Sequence, residues 1–216
     1  MPEYEIRGGI PAEIRADDDG IKVSGHAAVF NEEVDIGGWF REVFLPGAFA
    51  KSIRIADVPF LIEHEGLPLA RTRSKTLKLT EDEIGLRMEA TLDPDDPDVG
   101  RIVPKMKRGD LDKMSIAFRA TIQEWDDTED PPLRTIKEAE LFDVSIVTSP
   151  AYDGTDIGLR SLAEYRDAKA EKAKNDESEK ARHQLRFRQR RAKRFHLTDI
   201  VERESKLESD KRRLNT

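Results

Sequence analysis

Lys113-Met114-Ser115-Ile116-Ala117-Phe118-Arg119 alternates large apolar residues with small or polar ones. A period of two marks a strand whose sides meet different surroundings. Met114, Ile116 and Phe118 are expected on a core face, with Ser115, Ala117 and Arg119 on the other. A small alanine two positions after the serine leaves open space beside its hydroxyl.

Outward from this stretch, strand patterns extend over 112–124 and 134–148, separated by the polar loop WDDTEDPP. Upstream, Ile21 to Phe30 follows a turn at Asp19-Gly20 and has strand composition. Val58 to His64 (VPFLIEH) reads as a strongly apolar strand. Thr76 to Thr80 and Gly85 to Ala90 alternate on either side of the acidic EDEI, which predicts a hairpin. Two helices are expected. Pro46 opens a short one through Ile53. In 94–107, Val99, Ile102, Val103 and Met106 recur at helical spacing, with Pro97 in the first turn, Pro104 interrupting and Gly109 as the stop. Residues 1–160 therefore form one mostly β domain with a few helices.

At Ser161 the character changes. Ser161-Leu162-Ala163-Glu164 is a capping-box pattern that predicts a helix start. Residues 164–194 are rich in Ala, Lys, Glu and Arg and poor in large apolar residues, as in a solvated helix or linker. A thin apolar stripe (Leu197, Ile200, Val201, Leu207, Leu214) follows and suits a short helix with a partner. The chain carries a net charge of −7, unevenly spread. Residues 161–216 hold 17 Lys+Arg against 11 Asp+Glu, leaving 20 against 33 in residues 1–160. An acidic body and a basic tail, 161–216, are expected to meet different partners.

Composition excludes several kinds of chemistry. There is no cysteine, hence no disulfide, thiolate metal site or cysteine nucleophile. No HExxH pattern occurs, and no metal or other cofactor is expected. No apolar run approaches the roughly 18 residues that cross a bilayer, and MPEYEIRGGI lacks the basic start of a signal peptide. The chain reads as a soluble, intracellular protein.

Four histidines are present: His26, His64, His183 and His196. The last two lie in the tail, and His26 sits inside a strand pattern, which suits a packed or half-buried residue. His64 ends an apolar strand just before Gly66, at the expected mouth of the fold. Histidine is the usual base for a serine because it titrates near neutrality. In Glu140-Leu141-Phe142-Asp143-Val144-Ser145-Ile146-Val147, Phe142, Val144 and Ile146 form one face and Asp143 joins Leu141, Ser145 and Val147 on the other. An acidic residue in an apolar strand costs free energy unless paired; a histidine would pair it and be oriented in return. Read locally, each residue also fits a blander role: a serine on a solvent face, a histidine at a strand end, an aspartate bonded to a loop.

Five blocks in order, GHAAVFN (25–31), LPGAF (45–49), LIEH (61–64), MSIAF (114–118) and LFDVSIVTSPA (141–151), resemble the successive blocks of phage prohead proteases. The resemblance covers roughly residues 20–160. It implies a fold similar to the herpesvirus assembly proteases, a compact and mostly antiparallel β barrel with surrounding helices, closed so that no strand edge is left. It implies a serine endopeptidase with His64 as base, Ser115 as nucleophile and Asp143 as third member. This chain departs from the family in having Glu65 after the histidine and Asp143 where Glu is usual, so Glu140 stands as the alternative third residue. Implied substrates are the major capsid protein, scaffold segments and the chain itself, cut inside the assembling procapsid in the host cytoplasm. The basic tail suits self-association, binding to the shell interior or scaffold, or removal by self-cleavage. Segment 182–195 also resembles a nucleic-acid-binding arm, though a charged solvated helix is the preferred reading and nucleic acid is not expected as a partner. The competing reading of the whole is a catalytically silent scaffolding or assembly-chaperone module.

Overall fold

The computed structural model describes residues 4–17, 20–149, 157–184 and 186. Most of the basic segment 182–195 (185 and 187–195), the apolar stripe at 197–214 and His196 lie outside them. The chain divides into two compact units, one of Met1–Leu162 and one beginning at Ala163. The first is mostly β.

Its strands are β1 (Glu5–Asp17), β2 (Gly20–Val29), β3 (Val34–Ile36), β4 (Phe40–Phe44), β5 (Pro59–Ile62), β6 (Glu65–Arg71), β7 (Leu77–Glu81), β8 (Gly85–Leu92), β9 (Lys113–Asp126) and β10 (Leu133–Val147). They join in the order β3-β4-β10-β9-β1-β2-β8-β7, with β5 attached to β10 and β6 to β5. The pairings are antiparallel except β10 with β4 and β10 with β5. One long strand, β10, thus holds three neighbours.

The sheet curls without closing. The expected closed barrel would need a ladder between β6 and β7, and β6 pairs only with β5. Two backbone groups beside that seam have other partners. The Arg71 amide donates to the Thr76 hydroxyl (2.9 Å), and the Thr76 carbonyl accepts from the Thr91 amide (2.8 Å). Neither of these two groups is left for a β6–β7 ladder.

Met114, Ile116 and Phe118 enter the apolar core as their alternation predicts, together with Val144, Ile146, Phe60, Met88 and Val99. Full burial of each such side chain contributes about 1.5–3 kcal/mol. Helix α1 (Ala50–Ile55) starts later than the expected Pro46, because Gly47 takes φ +90°, outside the helical region. Helix α2 (Pro97–Arg108) follows the prediction closely. Asp96 caps it by accepting from the Asp98 amide (2.8 Å), its apolar face is buried, and Gly109 ends it at φ +79°. Pro104 is carried inside the helix rather than breaking it.

A third helix covers 157–184 and begins before the expected Ser161. Ser161 is not its cap. The Ser161 hydroxyl instead accepts from Gln123 Nε2 (2.6 Å) and Trp125 Nε1 (3.1 Å). Gly158 lies so close to the Phe40 ring that a Cβ there would meet it at 2.5 Å. From Ala163 onward nearly all described side chains are exposed, and no described helix is long and apolar enough to cross a membrane.

Candidate active site

The β5–β6 hairpin sets the first residue of the site. Ile62 pairs with Glu65, so the loop is the two residues Glu63 and His64. Both have positive φ, 51° and 62°. A two-residue hairpin favours that geometry, and Asn-Gly is its usual sequence. Holding non-glycine residues there costs on the order of 1–3 kcal/mol each. His64 is therefore not the end of a strand, as its apolar lead-in suggested, but one of two strained turn residues. The turn is tied to β10 twice: the Glu63 amide donates to the Ile146 carbonyl (3.0 Å), and the Glu63 carboxylate accepts from the Thr148 amide (2.8 Å).

The other residues stand on the two strands beside that turn. Ser145 on β10 lies directly across from Ser115 on β9. The register of the two strands slips between Leu141 and Asp143, a bulge at Phe142 that separates residues two apart. Leu141 pairs with Phe118 and goes to the core, whereas Asp143 pairs with Ala117 and shares its side of the sheet with Ser115. Regular alternation would have kept Leu141 and Asp143 together, and would have put Phe142 on the core face. Phe142 is outside the core, beside the Tyr4 ring and the Arg119 guanidinium. Bulges re-aim side chains in this way.

His64, Ser115 and Asp143 meet in one hydrogen-bonded chain. His64 Nδ1 is 2.7 Å from Asp143 Oδ1, and His64 Nε2 is 2.8 Å from Ser115 Oγ. An ionised carboxylate can only accept, so Nδ1 carries a hydrogen and the Nε2 lone pair faces the serine. The His64 and Asp143 side chains are 8% and 10% exposed. Glu140 is not part of this group. It sits on the far side of the bulge, exposed, paired with Arg119.

Ser145 was not singled out from the sequence, although the alternation placed it with Asp143. Its buried hydroxyl donates to Asp143 Oδ1 (2.7 Å), the oxygen that also holds His64. His26 forms a separate pair with Asp82, Nε2 to Oδ2 at 2.9 Å. His183 lies in the exposed helix of the second unit. The arrangement around Ser115 can move a proton from a hydroxyl to an imidazole whose charged form a carboxylate would stabilise.

A family model described as caudovirus prohead serine protease matches residues 11–168, well over half of the chain, and His64, Ser115 and Asp143 all fall inside the match. No curated protein and no solved structure matches the chain.

Proposed function

From the premise that the chain belongs to the caudovirus prohead serine protease family, we propose that it is an endopeptidase working through an acyl-enzyme on Ser115. His64 takes the Ser115 proton as the oxygen attacks the scissile carbonyl. It then gives the proton to the leaving amine, and water releases the acyl group by the same path in reverse. Asp143 keeps the Nδ1 tautomer in place and offsets the positive charge that His64 acquires. Ser145 fixes the carboxylate that does so.

The single observation that carries this reading is the unbroken sequence of contacts from Ser115 Oγ to His64 to Asp143, at 2.8 and 2.7 Å. Asp143 is preferred to Glu140 as the third member because the Phe142 bulge turns it toward His64, while Glu140 is held by Arg119. The substrates proposed are capsid and scaffold proteins and the chain itself, inside the assembling procapsid. The competing reading of a silent scaffolding module has one observation in its favour, the complete burial of Ser115.

Intact-mass analysis over time of the wild type and Ser115→Ala, each with capsid protein, tests the reading. Discrete products from the wild type that fall by roughly three orders of magnitude or more in Ser115→Ala are expected. Cleavage that survives the substitution removes Ser115 from the mechanism.

A further inference from the structure

Ser115 is 0% exposed, and part of what covers it is β1. The first half of β1 pairs antiparallel with β9: Glu5 with Phe118, Ile6 with Ala117, Arg7 with Ile116 and Gly8 with Ser115. The Ser115 hydroxyl is also 3.0 Å from the Arg7 carbonyl oxygen, a second acceptor that competes with His64 Nε2 for its hydrogen. A hydroxyl has one hydrogen. A proton given to Arg7 is not available to His64 Nε2, which the acyl-transfer step needs as its acceptor. With β1 in place, the serine is both covered and offered a competing acceptor.

We propose that residues 5–8 are a pseudosubstrate strand. They occupy the position on β9 that an incoming extended peptide would take, and they keep Ser115 latent until they leave. The inference rests on the reading of Ser115 as nucleophile. Adding a strand to a sheet edge is a general mode of peptide recognition, and the edge freed here is the one that carries the serine.

Two features make the segment separable from the fold. The first is a joint. The β1–β9 register shifts between Gly8 and Ile10, so the ladder is interrupted after Gly8; it resumes for Ile10 and Pro11, and from Ala12 onward β1 pairs with β2. The second is a latch of four buried charges. Glu5 and Arg7 come from the segment, Glu42 from β4 and Arg134 from β10. Arg7 contacts Glu42 (2.7 Å) and Glu5 (2.8 Å); Arg134 contacts Glu5 (2.6 Å) and Glu42 (2.8 Å). The segment takes away one charge of each sign. Glu42 and Arg134 already touch and remain paired, so departure strands no single buried charge, the outcome that makes broken ion pairs costly. Residues 5–8 also precede the part of the chain that the family model matches.

The test reads the rate at which a fluorophosphonate labels Ser115 in the full chain, with the site located by peptide mass. A Cβ at Gly8 would meet the Met114 carbonyl at 2.6 Å and Ser115 Oγ at 2.9 Å, so Gly8→Ala wedges the strand away. Glu5→Gln with Arg7→Met opens the latch with no change in net charge. Each should label about tenfold faster than wild type or more, because reactivity scales with the open fraction. Gly100→Ala, where a Cβ meets open space, should not. A synthetic peptide of residues 4–11 should slow labelling of the opened variants, and a scrambled one should not. Should the variants fold poorly, wild type in urea below its unfolding transition decides, since labelling should rise there before global unfolding. Equal rates in wild type and opened variants, or labelling that rises only on global unfolding, overturn the pseudosubstrate strand and leave the nucleophile standing. Ser115 unlabelled in every form also overturns the strand, whereas cleavage that persists in Ser115→Ala overturns the nucleophile separately.

Discussion

Among the described residues, two histidine–aspartate pairs have nearly equal geometry and different character. His26 meets Asp82 at 2.9 Å; His64 meets Asp143 at 2.7 Å. Asp82 lies in the β7–β8 loop, accepts the Ile84 and Gly85 amides of its own turn, and is 37% exposed. Asp143 is nearly buried and shares one oxygen between His64 and Ser145. The first pair fastens a hairpin to a neighbouring strand. The second joins a strained turn, a bulge and a serine at the centre of the sheet. A histidine–aspartate contact is thus no mark of chemistry by itself. The group at the other imidazole nitrogen decides, and for His64 that group is Ser115.

Substitution of the two histidines should separate the roles most sharply. His64→Ala is expected to lower turnover of capsid protein by roughly three to four orders of magnitude. It should also cost about 1–3 kcal/mol of stability, since alanine keeps the Cβ that strains the turn and the buried Asp143 carboxylate loses a partner. His26→Ala should leave turnover near wild type and cost about 1 kcal/mol of stability, the worth of one hydrogen bond. Parallel cleavage and urea-unfolding measurements check both. A His26 variant as inactive as the His64 variant would break the distinction.

The same comparison bears on how much could be read in advance. Alternation at Met114, Ile116 and Phe118 identified β9, because one face of that strand packs on a core and the period records it. The helical spacing of Val99, Ile102, Val103 and Met106 identified α2 for the same reason. The three residues that meet at the site were each singled out, but their geometry was not legible. Glu63-His64 carries none of the Asn-Gly chemistry that announces a two-residue turn, because the position holds a histidine in spite of local preference. The Phe142 bulge left no trace in the pattern, since a bulge is a property of two strands paired together. The first half of β1 was not legible, because its burial depends on charges at Glu42 and Arg134 far along the chain. Closure of the barrel was expected from resemblance, and it fails at one seam, between β6 and β7.

The next effect concerns the carboxylates. Asp143→Asn keeps the shape but offers His64 an amide, which cannot stabilise the imidazolium and can donate where a lone pair is needed. Turnover should fall by about 10²–10⁴-fold. Glu140→Gln removes only an exposed pairing with Arg119, a kind of contact worth about 0–1 kcal/mol, and turnover should stay within a few-fold of wild type. The reverse ranking in the same cleavage assay would move the third role to Glu140.

The smallest effect belongs to Asp82. Its carboxyl is held down to about 2, first by the Gly85 amide, then by His26, with burial opposing them and the Ile84 amide adding to the lowering. A carboxyl whose folded value lies below its unfolded one, near 3.9, stabilises the fold above the unfolded value. That contribution is lost as pH falls through about 2. Asp82→Asn should therefore lower the melting temperature modestly at pH 7, by less as the pH drops below 4, and hardly at all near pH 2. Cleavage at neutral pH should not change. A pH-independent loss of stability would mean that the loop hydrogen bonds, rather than the charge, hold this hairpin. A loss of activity would tie the second histidine–aspartate pair to the first.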